Sequence, residues 1–397
     1  MRVQIVDPAA YTPPYDHSLC AALALAGADV ELVTCRFPYG PVPSDGALAA
    51  MLGPMERRAD YRVNELFYRT SGSMNDRAIA RRLMRAAEHM PGLLRHRRHA
   101  RSADVIHYQW LPIPRLDQRL LAPVHPRVFT MHWRLPDADS TIGRVLTRML
   151  ARFDSVIVHT EHGAGRLERD FGVPAERLEV IPHGALDYLT RQGQEQPLPE
   201  ELRRVSRPVV LAFGLIRPYK GTDLLLRAFR EIDDAELWIV GMPRMPMEPL
   251  RELAERAAGT VRFIDRFVTD PEIPAYMRRA DVVALPYRNI EQSGVLYTAL
   301  AFGRPMVLSD VGGFPEIAAQ GAAVTVPPED PGALAGALRD LLEDPAARER
   351  LAAGALAAAE GPYSWRRIGE ATMALYRRLL DGAVERRSGS SPGEAAR

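Results

Sequence analysis

Lys220 is the single lysine of this 397-residue chain; the other 50 of its 51 Lys and Arg side chains are arginine. Against that background the one lysine marks a place where a compact ammonium stands in place of a planar guanidinium. It lies in Phe213-Gly214-Leu215-Ile216-Arg217-Pro218-Tyr219-Lys220-Gly221, after an apolar run at 208–213 and before a helical pattern at 222–229. Glycine lets the backbone come close to a bulky anion. Arg217 and Lys220 add two cations, which suits a diphosphate whose negative charge grows as it leaves. The Gly-Lys-Ser/Thr order of a Walker loop is absent. A second anion-binding candidate is Ile290-Glu291-Gln292-Ser293-Gly294-Val295, where Gly294 opens a helical pattern running to Phe302. The free N–H groups and dipole of that helix point back at the loop, although Ser-Gly also caps many helices that bind nothing.

Other polar residues have an ordinary structural reading beside a functional one. His132 and His107 fall at strand ends, and Tyr15-Asp16-His17 falls in the first strand-to-helix loop. His159 and His162 are three apart with no third ligand nearby, which reads as a strand-end loop and not as a metal site.

The elements that must position these residues alternate in type. Apolar β-branched runs at 3–6, 30–33, 105–107, 128–131 and 155–158 read as buried strands separated by helical stretches such as 18–26 and 143–152. A polar, proline-bearing stretch at 190–199 interrupts the pattern, with a short helix expected at 200–205. The alternation resumes with runs at 208–213, 236–240, 261–264, 282–285, 306–308 and 323–326. Two successive α/β domains with parallel sheets follow, and a cleft at the strands' carboxyl ends is the expected site. The boundaries read as 1–190, a linker at 191–207, 208–362, a closing helix at 363–381 with a return to the first domain as one course open to it, and a disordered tail at 382–397.

Composition excludes several classes. Hydrophobic residues are 47% and charged residues 25% of the chain, as in ordinary globular proteins. A net charge of +1 gives no whole-molecule grip on nucleic acid. Cys20 and Cys35 are too few for a disulfide framework or a four-cysteine metal site. No apolar run nears the roughly 18 residues needed to cross a bilayer. The first residues pass straight into a strand pattern without a signal-peptide core, so the cytoplasm is the expected compartment. Residues 77–101 carry eight arginines against Glu88 alone, with Leu83, Met84, Met90, Leu93 and Leu94 interleaved. That run reads either as a basic surface for anionic lipid on the inner face of a membrane or as a solvated arginine face.

Several segments occur together in one order. They are Arg217 to Gly221, Ala280-Asp281-Val282-Val283-Ala284-Leu285-Pro286-Tyr287, Gln292 to Val295, Ala299-Leu300-Ala301-Phe302-Gly303-Arg304-Pro305 and Asp310-Val311-Gly312-Gly313-Phe314-Pro315-Glu316. This series resembles the carboxy-terminal half of the family-4 retaining glycosyltransferases, which have the GT-B fold of two Rossmann-like, doubly wound domains facing across a cleft. Tyr11 to His17, Met131-His132 and Ile181-Pro182-His183-Gly184 are similar to that family's first acceptor-side loop, strand-end histidine and hinge.

The resemblance implies a nucleoside diphosphate sugar, UDP- or GDP-linked, as co-substrate and no further cofactor. A hydroxyl acceptor (saccharide, lipid-linked or small molecule) would take the sugar with retention. It implies that Gly214, Arg217 and Lys220 meet the diphosphate and that Arg266-Phe267-Val268 flank the base. Ser293-Gly294-Val295 would meet phosphate and sugar, with His132 near the transferred sugar. Tyr15, Asp16, His17 and His107 are expected on the acceptor side. The family's paired glutamates fall here on Ile290 and Thr298, with Glu291 one residue away as the substitute that contacts the sugar; Leu215 replaces a frequent arginine. Thr298 is left facing the ribose, without the two acceptor oxygens of a carboxylate. With no metal cluster in the sequence, Arg217, Lys220 and the helix end are expected to stabilise the leaving group. Domain closure over the donor is expected as well. Two rivals remain: a nucleotide-sugar epimerase on the same fold, and a non-catalytic sugar-nucleotide binding module.

Overall fold

The apolar runs form parallel strands in two sheets. The computed structural model describes residues 1–36, 60–73 and 79–388. It divides into a first unit, residues 1–182 together with the chain from Trp365 onward, and a second unit, His183–Ser364.

The first unit's sheet holds β1 (Arg2–Val6), β2 (Asp29–Cys35), β3 (Arg62–Phe67), β4 (Val105–Tyr108), β5 (Arg127–Thr130), β6 (Ser155–Val158) and β7 (Leu178–Val180), in the order β3-β2-β1-β4-β5-β6-β7. Its connecting helices are α1 (Pro13–Leu25), α2 (Ile79–His99), α3 (Pro114–Asp117), α4 (Thr141–Leu150) and α5 (Glu161–Phe171). Side chains alternate across each strand. Val3, Ile5, Val30, Leu32 and Val128 pack on one face with Leu19 and Leu23 of α1. Val6, Val33 and Phe129 pack on the other with Leu93 of α2, Leu146 and Met149 of α4, and Leu167 of α5. β3 and β7 were not expected from the sequence. The first mixes Asn64 and Glu65 into its run, and the second is only three residues long.

The second unit begins before its sheet with α6 (Glu200–Arg203). It continues through β8 (Val209–Phe213), α7 (Thr222–Ala228), β9 (Glu236–Val240), α8 (Glu248–Ala254), β10 (Thr260–Ile264), α9 (Ile273–Arg279) and β11 (Val282–Leu285). Then come α10 (Gly294–Ala301), β12 (Met306–Ser309), α11 (Phe314–Ala318), β13 (Ala323–Val326), α12 (Pro331–Glu343) and α13 (Pro345–Glu360). The strand order is β10-β9-β8-β11-β12-β13. In both sheets the order reverses at the first strand, between β1 and β4 and between β8 and β11. A ligand crevice opens at such switch points, outside the strands' carboxyl ends.

The closing helix, α14 (Trp365–Ser388), belongs to the first unit. It packs on α1 so closely that a Cβ on Gly369 would lie 2.8 Å from the Ala22 carbonyl oxygen. Ile368, Met373, Leu375 and Tyr376 complete the α1 side of the core. The helix runs past the expected end at 381 to Ser388, because apolar and helix-favouring residues continue there. Residues 389–397 of the expected tail lie outside the described residues, as does Arg77 of the basic run.

Candidate functional site

In the second unit the loop after β8 crosses beneath the end of β11. Gly221 has φ +66°, and a Cβ there would lie 1.9 Å from the Pro286 carbonyl oxygen, so a side chain is excluded. Arg288 holds the loop from above. Its backbone N–H donates to Tyr219 O (2.8 Å), and its guanidinium donates to Pro218 O (2.8 Å) and to both Asp223 oxygens (2.8 Å each). The Asp223 bonds hold that guanidinium's pKa above its usual range.

Lys220 is thereby drawn inward. Its ammonium lies 5.2 Å from the centroid of the Tyr287 ring and donates to Phe213 O at 3.4 Å. A Cβ on Gly214, where φ is +93°, would lie 2.9 Å from Lys220 Nζ and 3.0 Å from Val295 Cγ2. Glycine at this position brings the β8 loop, the lysine and the start of α10 together. Burial, with Arg217 adding like charge, lowers the Lys220 pKa to about 8. The small pocket around it is lined by the ends of β8 and β11, with Gly214, Leu215, Lys220 and Tyr287 among its walls. Arg217 itself is exposed at the loop's outer edge.

Ser293 caps α10 with its backbone only. Its hydroxyl makes no capping bond to the helix and lies 3.3 Å from Tyr287 Oη. Gly294 has no atom within 4 Å of the place a Cβ would take. Glu291 is buried beside this loop. Thr298 differs from its expected role: it is buried and donates its hydroxyl to Gly294 O (2.9 Å), so its side chain is turned onto its own helix and not toward a ribose. After β10, Arg266 pairs with Glu272 (2.5 Å) and Val268 is buried, whereas Phe267 is 60% exposed and offers an aromatic face.

In the first unit the corresponding switch point gathers a buried hydrogen-bonded chain. His159 Nδ1–H donates to Ile181 O (2.9 Å), and burial lowers the His159 pKa to about 4. Its Nε2 lies 3.4 Å from His132 Nδ1. His132 Nε2–H donates to Gln109 Oε1 at 2.8 Å, and the Gln109 amide nitrogen donates in turn to His107 Nε2 at 3.2 Å. Trp110 stacks on His132 (5.4 Å, 15°) and Tyr15 meets it edge-on (4.7 Å). Gln109, Trp110 and His159 were not assigned to the site from sequence. The run His107-Tyr108-Gln109-Trp110 at a strand end was the one available signal.

Three acceptor-side expectations change. Tyr15, Asp16 and His17 lie inside α1, not in a loop, because Pro13 and Pro14 start the helix early. All three are buried, α1 being covered by the sheet on one side and α14 on the other. Burial raises the Asp16 pKa well above the usual carboxylate range, and the charge and hydrogen bond of the neighbouring Asp7 raise it further. Asp7 in turn accepts the backbone N–H groups of Ala9, Tyr11 and Thr12. His107 is wholly buried between Tyr376 of α14 and Thr130, 2.6 Å from each, so it cannot touch an acceptor. Among the described residues no group of three or more His, Cys, Asp or Glu is placed to hold a metal. No helix among them is long and apolar enough to cross a membrane.

Residues 207–344 match the family described as glycosyl transferases group 1, and residues 15–185 match glycosyltransferase family 4. A D-inositol 3-phosphate glycosyltransferase of Xylanimonas cellulosilytica is 30% identical over 72% of this chain and 75% of its own length. The chain belongs to glycosyltransferase family 4. A second relative, the D-inositol 3-phosphate glycosyltransferase of Kineococcus radiotolerans, is 28% identical over 94% of this chain and 91% of its own. The fold of this glycosyltransferase is that of sucrose-phosphate synthase from Thermosynechococcus elongatus (TM-score 0.70, 20% identity, covering 96% of this chain and 100% of that one). It is also that of Anabaena HepE in complex with UDP-glucose (TM-score 0.64, 20% identity, 94% and 99%). The chain is thus a GT-B enzyme moving a sugar from a nucleoside diphosphate sugar to a hydroxyl acceptor with retention.

Proposed function

We propose that the donor diphosphate is bound by Gly214, Arg217 and Lys220 together with the amino end of α10, and that these groups stabilise it as it leaves. The carrying observation is the inward placement of the sole lysine against Gly214 and Val295 at the β8/β11 switch point. A diphosphate there returns full charge to Lys220, whose pKa is lowered to about 8 without it. The unpaired N–H groups of α10 and the Ser293 hydroxyl supply neutral donors to phosphate and sugar. Phe267 stacks on the base, and Glu291 contacts the sugar. His132 is held in one orientation by Gln109 and His159 and stabilises the transferred sugar. Attack comes from the face the diphosphate leaves, and a departing phosphate oxygen takes the acceptor's proton. The positive charge at the diphosphate comes from Arg217 and Lys220, with no further cofactor required.

The acceptor is a hydroxyl compound, and inositol phosphates head the set to try because the relatives carry that substrate in their names. A panel of UDP- and GDP-sugars with soluble and lipid-linked acceptors, read by mass spectrometry, tests this. Sugar transfer lost on replacing Arg217 and Lys220 with alanine supports the assignment, and near-normal transfer refutes it. Isomerised donor without transfer favours the epimerase, and binding without turnover favours the idle module.

α2 is also proposed to rest on an anionic membrane surface. Ile79, Leu83, Met90 and Leu94 are exposed at helical spacing along one stripe, with Arg82 and Arg98 exposed beside it. The basic face is smaller than the sequence implies: Arg81 is buried, Arg85 lies over the Tyr68 ring, and Arg97 donates to Leu121 O. Leu83→Glu with Met90→Glu should abolish sedimentation with anionic vesicles if this contact exists.

A further inference from the structure

Some surface arginines in this protein face an acid: Arg62 meets Asp29, Arg251 Asp265 and Arg378 Glu179. Four between α3 and α4 form no ion pair with any of the described residues. Arg115 and Arg119 lie one turn apart on and just after α3, and Arg148 and Arg152 lie one turn apart on and just after α4. Together with Gln118 they line an open basin of about 860 Å³. All four side chains are exposed.

The described acids nearest to them in sequence are committed elsewhere. Asp117, wholly buried, lies 2.6 Å from His89 Nε2 and accepts from the Ile113 N–H at 2.8 Å. Asp154 accepts from the Arg127 N–H at 2.7 Å and lies 2.8 Å from His125 Nδ1. Like charges one helical turn apart repel, and two such pairs facing one another repel more. A folded surface that keeps four guanidinium groups around a hollow is matched to an anion that several of them can hold at once.

We propose that Arg115, Arg119, Arg148 and Arg152 form a second anion site, which takes a phosphoryl group. It is separate from the donor site, which is in the other unit, and from His132 at the carboxyl ends of the strands. Arg152 stands just before β6, beside the start of β5, at the strands' amino ends. Planar guanidinium groups bind phosphate oxygens in pairs, so the ligand class is a phosphate ester or diphosphate, whether soluble or carried on a lipid headgroup.

The test uses the full chain carrying Arg217→Ala and Lys220→Ala, which removes the donor diphosphate site from the measurement. Inorganic pyrophosphate binding is read by titration calorimetry at low ionic strength, and phosphatidylglycerol vesicle binding by sedimentation. Adding Arg119→Gln and Arg148→Gln should weaken one of the two by about tenfold or more. Loss of pyrophosphate binding supports the site with a soluble ligand. Loss of vesicle binding alone supports it with a lipid headgroup. Neither ligand binding at all, or both binding unchanged by the added substitutions, overturns it. A chain with Leu83→Glu and Met90→Glu and all four arginines intact should keep its pyrophosphate binding, which separates this site from the α2 contact. Thermal unfolding of each variant confirms that the exposed substitutions leave the fold in place.

Discussion

At the scale of single residues, burial decides which polar groups carry charge. Lys220 is cationic below its lowered pKa of about 8 and neutral above it. The KM for the donor should therefore rise as pH climbs through 8, while Lys220→Arg, which stays charged, should lose that pH dependence. Removing both cations, as Arg217→Ala with Lys220→Ala, should lower kcat by about 10²-fold or more, the usual effect of deleting a preorganised charge stabiliser. The histidines of the first unit work in the opposite sense. Burial lowers the pKa of His107 to about 3 and of His159 to about 4, so both stay neutral in the folded chain. Unfolded, each takes a proton below about 6.5, and the stability they contribute is lost as pH falls from there toward the folded values. Asp16, whose pKa is raised by burial, acts with the other sign: its contribution is complete at low pH and is lost as pH rises. The two trends separate in a comparison with His107→Gln. Between pH 6.5 and 5, urea unfolding of the parent should lose up to about 1.4 kcal/mol per pH unit more than the variant. Equal slopes would show that His107 does not hold its neutral form.

At the scale of elements, the loops proposed to hold the donor are set by backbone contacts at two glycines. Gly221 lets the β8 loop pass under Pro286. Gly312, with φ +55°, stands so close to the Glu291 loop that a Cβ would lie 1.7 Å from Ile290 O. Gly312→Ala should push that loop away from the donor. A displacement of about 1 Å costs on the order of 10²-fold in rate, and the loss should appear in kcat with the unit still folded. Circular dichroism beside donor kinetics reads both. Element type was largely legible in the sequence, since strands buried on both faces are continuous apolar runs. β3, β7 and the start of α1 escaped that reading. β3 is polar for half its length, β7 is only three residues long, and α1 begins five residues before the amphipathic stretch, at a proline pair whose role as a helix start was not recognised.

For the whole molecule, the closing helix is the decisive part. α14 supplies Ile368, Met373 and Tyr376 to the first unit's core and sets the Tyr376 hydroxyl 2.6 Å from His107. A chain ending at 364 should leave the first unit unfolded, since truncating one such buried side chain already costs about 2–5 kcal/mol. Residues 183–364, produced alone, should fold and bind UDP or GDP. Limited proteolysis and nucleotide titration check the two outcomes, and a protease-resistant first unit in the shortened chain would contradict the role given to α14. The sequence by itself determined the parallel α/β class, the two-sheet order and the Gly214–Gly221 loop, because each is a local property of hydrophobic runs and loop chemistry. Only the tertiary structure decided that Lys220 turns inward while Arg217 stays outside, that Asp16 is buried inside α1, and that His107 is a core residue. Charge state and access depend on which distant segments cover a side chain, here α14 over α1 and Arg288 over the β8 loop, and no short stretch of sequence encodes that.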